Sequence, residues 1–250
     1  MKRIGLFGGS FNPVHLGHTA LAAYVCEQGL VDEVWMMVSP QNPLKQNLEL
    51  LDEQHRLAMM QLAVAPYPAL KACDFEFHLP RPSYTYHTLQ ALRTAFPDNT
   101  FSLIIGEDNW ENFHRWYRGE EILRETPVIV YPREEDKCSS AQSSELKVES
   151  LELKVEGNSV QRKEFRGKSS EEGNSVEPSA APQLSIRKSH LSTFNSQLSI
   201  LNSQFSILKN PPLFPYSSTE VRATLAEGKD VSTMLHPDVE AYIRRHGLYR

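Results

Sequence analysis

The sequence predicts an α/β fold in which helices cover both faces of a doubly wound parallel sheet. Short apolar segments such as Val34–Val38 and Phe101–Ile105 alternate along the chain with segments of helical periodicity. These segments are apolar at successive positions, as expected for strands that are buried on both sides. In addition, the first apolar segment ends in two glycines shortly before a helix, which is typical of a parallel sheet that binds phosphate.

The predicted elements follow one another regularly, each bounded by a capping or breaking residue. In chain order they are a strand Arg3–Phe7, a helix Gly17–Gly29, a strand Val34–Val38, a helix capped by Asp52, a strand Leu70–Phe75, a helix that opens at Ser83–Tyr86 and stops at Pro97, strands Phe101–Ile105 and Thr126–Tyr131, a helix capped by Ser217 or Ser218, and a last helix Pro237–Arg245.

The segment Gly5–His18 carries the clearest functional signal. After the strand ends, an Asn-Pro turn leads into a helix in which His15 and His18 are three residues apart and so share one face. The free N–H groups at a helix start attract an anion, and two imidazoles add further donors. A zinc site and a pair of structural histidines are the alternatives at this point.

A second helix start repeats this chemistry near the other end of the sequence. Ser217, Ser218 and Thr219 supply three hydroxyl groups, and Arg222 follows three residues after Thr219. A phosphate could be held by such a helix start together with a guanidinium. An ordinary helix cap with a surface arginine is the alternative.

Composition limits the possible functions. The net charge of −5 argues against a general nucleic-acid-binding protein. The cysteines are few, odd in number and without a pattern, which favours a reducing compartment, and we find neither a secretory signal nor an apolar segment long enough to span a membrane. We therefore expect a cytoplasmic protein that binds neither nucleic acid nor membranes.

Residues 134–212 differ from the rest of the sequence in being polar and repetitive. The pentapeptide Glu145–Glu149 recurs at Glu152–Glu156, and Asn195–Ile200 recurs with one change at Asn202–Ile207. A segment of this length without a regular pattern is usually an insertion or disordered. We predict one domain formed by residues 1–133 and 213–250, interrupted by a disordered insertion at 134–212; a partner-binding arm is the alternative.

Two of these segments resemble the signatures of the nucleotidylyltransferase superfamily. Ser10, His15, Gly17 and His18 match its (S/T)-x-x-x-x-H-x-G-H motif. Residues 217–222 match its I-S-S-T-x-x-R motif, except that Tyr216 replaces the isoleucine. The resemblance implies a Rossmann-like nucleotidyltransferase fold and transfer of a nucleotidyl group.

Four further segments look like the bacterial nicotinate-nucleotide adenylyltransferases, namely Arg81–Thr85, Ile104–Asp108, Phe113–Trp116 and Gly247–Arg250. This resemblance implies transfer of AMP from ATP to nicotinate mononucleotide, which gives deamido-NAD and pyrophosphate, with Mg²⁺ carried on the ATP phosphates and no metal ligands from the protein. A different acceptor, such as nicotinamide mononucleotide or phosphopantetheine, is an alternative, as is a nucleotide-binding protein that has lost catalysis. The oligomeric state is left open.

The same resemblance implies roles for particular residues. The catalytic residues would be His18, His15, Lys45 and Arg222. The residues implied to bind ATP are Gly8, Gly9, Ser10, Phe11, His15, His18, Gly106, Asp108, Ser217, Ser218, Thr219 and Arg222. Those implied to bind nicotinate mononucleotide are Gly9, Ser10, Lys45, Ser83, Tyr84, Thr85 and Trp116.

Two positions depart from the family pattern. Leu44 stands where the family usually has a histidine, which leaves Lys45 without a neighbouring donor, and Asn12 stands where aspartate is common. Arg56 is a weaker candidate for a phosphate contact, and a solvated helix face explains it equally well.

Overall fold

A computed structural model describes residues 1–40, 50–132, 205–212 and 214–250. They form a six-stranded sheet with the strand order β3-β2-β1-β4-β5-β6, and every neighbouring pair is parallel. The strands are β1 (Arg3–Gly9), β2 (Glu33–Val38), β3 (Leu70–Cys73), β4 (Thr100–Gly106), β5 (Val128–Tyr131) and β6 (Phe205–Ile207). The predicted doubly wound parallel sheet is confirmed.

Helices lie on both faces of this sheet. They are α1 (Leu16–Glu27), α2 (Glu53–Val64), α3 (Thr85–Ala95), α4 (Glu107–Glu111), α5 (Gly119–Glu125), α6 (Ser218–Ala226) and α7 (Pro237–His246), with 3₁₀ helices at Phe75–His78 and Phe113–Arg115. None of these helices is both long and apolar enough to cross a membrane.

Each face of the sheet has its own hydrophobic core, because successive side chains of a strand point to opposite sides. Phe7 and Ile104 join one core with residues of α1, α2 and α7. Leu6 and Leu103 join the other core with residues of α3 and α5. The strands are therefore covered on both faces, as their continuous apolar sequences predicted.

The strand order reverses between β1 and β4, which is where open α/β sheets bind their ligands. The carboxyl ends of these two strands are Gly9 and Gly106. The loop that leads from β1 to α1 and the start of α4 therefore flank the same crevice.

Several predicted boundaries differ from those of the structure. The first strand ends at Gly9 rather than Phe7, and the fifth begins at Val128 rather than Thr126. The third strand ends at Cys73, and Phe75 belongs to a 3₁₀ helix in which the Phe77 N–H donates to the Asp74 carbonyl at 2.8 Å. Phe75 packs against the core on the same face of the sheet as Cys73.

The predicted insertion 134–212 also extends too far. Residues 205–207 form β6, which pairs with β5 through Val128 and Phe205, and Leu208 is buried at 2% exposure. The strand lies inside a repeated sequence. Its alternating apolar residues therefore indicate duplication as readily as they indicate a strand. The remaining prediction of disorder, for 134–204, lies outside the described residues.

Candidate active site

The two histidines of the first motif form a stacked pair at the start of α1. His15 is the residue before the helix, and its main-chain N–H donates to Nδ1 of His18 at 3.2 Å. The two rings stack with their centroids 3.6 Å apart. Because Nδ1 of His18 accepts a hydrogen bond, the proton of its neutral ring lies on Nε2, which is left as a donor.

Two glycines allow close packing around this pair. A Cβ atom on Gly17 would lie 3.1 Å from the His15 ring and 3.2 Å from Cβ of Phe214. A Cβ atom on Gly9 would lie 3.1 Å from the ring of Phe11, which itself has a φ of 44°. The left-handed backbone of Phe11 costs energy in a bulky residue and is common at functional sites.

The second motif lies directly against the first. Arg222 Nη1 donates to the carbonyl oxygen of Asn12 at 2.7 Å, across 210 residues of sequence. The Ser218 hydroxyl donates to the carbonyl oxygen of Pro13 at 2.9 Å. The ring of Tyr216, just before α6, meets the His15 ring edge-on at 5.4 Å. The two predicted anion-binding helix starts therefore form one site.

The start of α6 is organised by its own residues. Ser217 caps the helix by accepting a hydrogen bond from the Glu220 N–H, and the Glu220 carboxylate accepts one from the Ser217 N–H. Arg222 Nη2 donates to the Thr219 hydroxyl at 3.3 Å. This arrangement holds the Arg222 guanidinium beside the free N–H groups of the helix start.

The end of β4 approaches the same crevice. Gly106 precedes α4, and Asp108 lies in the first turn of this helix rather than at its cap. A Cβ atom on Gly106 would lie 2.5 Å from the Asp108 carboxylate and 3.2 Å from Tyr131. Phe7 connects this region to the histidines, since its ring is 5.7 Å from Tyr131 and 6.2 Å from His18.

The residues predicted for the pyridine ring lie at the start of α3 and in the segment after α4. Thr85 begins α3, and Ser83 is buried two residues earlier. Trp116 stacks on Phe113 with the ring centroids 4.8 Å apart. Tyr84 contacts Tyr117 at 5.0 Å, which brings the segments before α3 and after Trp116 together.

Lys45 of the candidate site and its neighbour Leu44 lie outside the described residues, within 41–49 between β2 and α2. The predicted part of Lys45 in phosphate binding therefore stays a prediction.

Arg56 does not lie on a solvated helix face, which was one of the two interpretations of the sequence, and a phosphate contact of this residue stays a prediction. The residue is 1% exposed and donates four hydrogen bonds to main-chain carbonyl oxygens, and burial lowers the pKa of its guanidinium. The acceptors are Leu51 at 2.8 Å, Ser10 and Ser39 at 2.7 Å, and Pro40 at 2.9 Å.

A signal for this burial was present in the sequence. Arg56 lies three and four residues before Met59 and Met60, which are both fully buried, so that it belongs to the apolar face of α2. Its hydrogen bonds fix the loops that follow β1 and β2. They therefore stabilise the position of the loop after β1, in which the candidate site begins.

A parallel sheet with anion-binding helix starts at its switch point is typical of α/β enzymes that act on nucleotides. The family model described as cytidylyltransferase-like matches residues 6–224 of this chain. Two relatives that match along more than nine tenths of their length carry the name "Probable nicotinate-nucleotide adenylyltransferase". The one from Bacteroides thetaiotaomicron is 39% identical over 244 residues, which is 98% of this chain and 92% of the relative.

The second relative, from Flavobacterium johnsoniae, is 39% identical over 248 residues, or 99% of both chains. The chain therefore belongs to the cytidylyltransferase-like family and, within it, to the nicotinate-nucleotide adenylyltransferases. The family resemblance seen in the sequence is confirmed.

Solved structures agree on the fold. Nicotinic acid mononucleotide adenylyltransferase from Plasmodium falciparum, complexed with NaAD, has a TM-score of 0.65 at 18% identity, covering 100% of this chain and 98% of that chain. The same enzyme complexed with APC gives a TM-score of 0.63 with the same identity and coverage. This likeness confirms the Rossmann-like nucleotidyltransferase fold.

Proposed function

We propose that this protein transfers AMP from ATP to nicotinate mononucleotide, forming deamido-NAD and pyrophosphate in NAD biosynthesis. The observation that carries the proposal is the contact between Arg222 and Asn12, which joins the two helix starts at the switch point of the sheet. One anion-binding helix start could serve many ligands, whereas two starts with a guanidinium and two imidazoles suit a triphosphate.

In this proposal the ATP phosphates lie between α1 and α6. Nε2 of His18 and the guanidinium of Arg222 donate to phosphate oxygens, with His15 and Lys45 adding to the positive potential. The remaining ATP contacts come from the turn after β1, the start of α4 and the hydroxyls of α6, that is, from Gly8, Gly9, Ser10, Phe11, Gly106, Asp108, Ser217, Ser218 and Thr219.

Nicotinate mononucleotide takes the side of the crevice next to α3. Free N–H groups at the start of α3 suit the carboxylate of the pyridine ring, and the indole of Trp116 suits the ring face. Ser83, Tyr84 and Thr85 supply this helix start. Gly9, Ser10 and Lys45 would face the phosphate of the mononucleotide.

The reaction needs no nucleophile from the protein. A phosphate oxygen of nicotinate mononucleotide forms a bond to the α-phosphorus of ATP, and the bond from that phosphorus to the bridging oxygen breaks, so that pyrophosphate leaves with the electron pair. Orienting the two anions supplies about 7–11 kcal/mol of the barrier. Each well-placed donor to the developing charge adds about 3 kcal/mol.

Mg²⁺ enters this proposal on the ATP phosphates, where it neutralises charge on the leaving pyrophosphate. Within the described ranges, no group of three or more His, Cys, Asp or Glu residues could hold a metal ion. The proposal accordingly assigns the ion to the substrate. It also places the protein in the cytoplasm.

The test is pyrophosphate release from MgATP with three acceptors in parallel: nicotinate mononucleotide, nicotinamide mononucleotide and phosphopantetheine. We expect the highest kcat/KM with nicotinate mononucleotide, and deamido-NAD as the product in mass spectrometry. A preference for either other acceptor would replace the proposed substrate. Binding of ATP without release of pyrophosphate with any acceptor would make this a nucleotide-binding protein instead.

A further inference from the structure

The segment that follows α7 turns back into the candidate site. Gly247 ends the helix with a φ of 63°, and the Leu248 N–H donates to the Ile243 carbonyl at 3.1 Å. This is the reversal expected when a glycine in the left-handed region ends a helix. As a result, Leu248 and Tyr249 pack against the core of α1 and α2.

The phenol of Tyr249 donates a hydrogen bond to the side chain of Asn12. The hydroxyl lies 2.7 Å from Asn12 Oδ1, and the Leu51 N–H lies 3.4 Å from the same atom. Because a main-chain N–H can only donate, the atom between them is the amide oxygen, and the phenol is the donor. Burial raises the pKa of Tyr249, which keeps the donating proton in place at neutral pH.

Asn12 connects this hydrogen bond to the phosphate site. Its side chain is 3% exposed, and its main-chain oxygen accepts the 2.7 Å hydrogen bond from Arg222. The Arg222 and Arg56 guanidinium groups are close enough to the phenol to lower its pKa, against the larger effect of burial. Tyr249, Asn12 and Arg222 therefore form a continuous chain of contacts.

The backbone of Tyr249 is held in an unfavourable conformation. Its φ is 58°, in the left-handed region that bulky residues rarely adopt. Such a conformation persists only where the surrounding contacts determine it, and it concentrates at functional sites. The hydrogen bond to Asn12 and the packing of the ring are the contacts that hold it here.

We propose that Tyr249 is a positioning residue for catalysis, which fixes Asn12 and, through the main chain of Asn12, the guanidinium of Arg222. This inference rests on the proposed function, because it gives Arg222 the triphosphate as its ligand. Tyr249 itself donates to the protein and not to the substrate. Its removal should therefore affect the catalytic rate more than the binding of either nucleotide.

The test compares Tyr249→Phe with Tyr242→Phe. Tyr242 also lies near the end of α7, and its hydroxyl bonds Nδ1 of His55 at 2.9 Å, away from Asn12. We expect Tyr249→Phe to lower kcat about tenfold, the effect of one lost hydrogen bond, with each KM changed less than about threefold. Tyr242→Phe should stay within about twofold of the wild-type protein in kcat.

A merely structural role would also lower activity, so the comparison is repeated in an Arg222→Ala background. If Tyr249 acts through Arg222, the change Tyr249→Phe should add less than about twofold there. A full tenfold loss in that background would overturn the proposal. Thermal unfolding of all variants checks that each one is folded.

A second pair of variants approaches the hydrogen bond from Asn12. Asn12→Ala removes the acceptor, whereas Asn12→Asp keeps an oxygen in its place, so that we expect a smaller loss of kcat with aspartate than with alanine. Equal losses would contradict the inference. This comparison can be made even if Tyr249→Phe does not fold.

The proposed function and this inference can fail separately. If the wild-type protein releases no pyrophosphate, the proposed function fails. If it does release pyrophosphate, and Tyr249→Phe has the same kcat as Tyr242→Phe, only this inference fails.

Discussion

Arg56 is tied to Ser10 by a hydrogen bond of 2.7 Å, from Nη1 of the guanidinium to the main-chain carbonyl oxygen. The same nitrogen donates to the carbonyl oxygen of Ser39, also at 2.7 Å. One buried side chain therefore holds the loop after β1 and the loop after β2 at a fixed separation. Since the candidate phosphate site begins in the first of these loops, its shape depends on this buried side chain.

We predict that Arg56→Met lowers the free energy of unfolding by about 3 kcal/mol, because it leaves buried carbonyl oxygens without donors. Urea denaturation measures this loss. The control is Arg244→Met, which removes a surface ion pair with Glu240 and should cost less than about 1 kcal/mol, since the Arg244 side chain is 66% exposed. Similar losses for both variants would contradict the structural role of Arg56.

We predict that His18→Ala lowers kcat by about 100-fold or more, as expected when a donor to the developing charge is lost. The KM for ATP should change by less than about fivefold, because the remaining donors still bind the ground state. Steady-state pyrophosphate release measures both constants. His78→Ala is the control, since its side chain is 73% exposed and pairs with Asp74 at 3.7 Å. An unchanged kcat with a raised KM would mean that His18 only binds the substrate.

Much of the fold follows from local sequence patterns. The apolar strands, the glycines at the end of β1 and the caps could be read directly, and the structure confirms Asp52 and Ser217 as the caps of α2 and α6. These features depend on a few neighbouring residues, so that a single sequence contains the whole signal.

What could not be predicted depends on contacts between distant segments. The acceptors of Arg56 are main-chain oxygens of loops, which any residue type could supply, so no pattern of side chains indicates them. The contact between Tyr249 and Asn12 spans 237 positions and joins two residues whose types do not suggest a pair. The strand β6 has only three residues, and it is defined as a strand by its pairing with β5.

The connection between β5 and β6 gives a third prediction. Removing residues 145–194 leaves β6 and enough chain for the crossover between parallel strands, so we expect pyrophosphate release within about twofold of the wild-type value. Removing residues 145–208 also deletes β6 and the buried Leu208, and should cost at least about 3 kcal/mol of stability. Loss of activity in a folded 145–194 deletion would show that the segment takes part in function.

The fourth prediction concerns acid stability and Glu33. This carboxylate is 9% exposed and pairs with Lys2 and with Lys71, the latter at 2.9 Å. Burial by itself would raise the pKa of Glu33. The hydrogen bonds from Lys2, Lys71 and Trp35 together have the larger effect and lower the pKa to about 2. Because the folded value lies below the unfolded value of about 4.3, the stabilisation is complete above that value and is lost as the pH falls towards 2.

Accordingly, Glu33→Gln should be less stable than the wild-type protein by about 2 kcal/mol at pH 6, and the difference should shrink towards zero near pH 2. Urea denaturation at a series of pH values measures this convergence. Two curves that stay parallel across the acid range would contradict the assigned pKa.

The pairing of Val128 with Phe205 has a consequence for biosynthesis of the protein. As the chain emerges from the ribosome, β1 to β5 can assemble well before their last neighbour exists, and the outer N–H and C=O groups of β5 remain without a partner during that interval. A strand of four apolar residues with one unpaired edge can form hydrogen bonds with another nascent chain. We therefore expect the yield of soluble protein to respond to chaperone supply and growth temperature, and to improve when synthesis is slow.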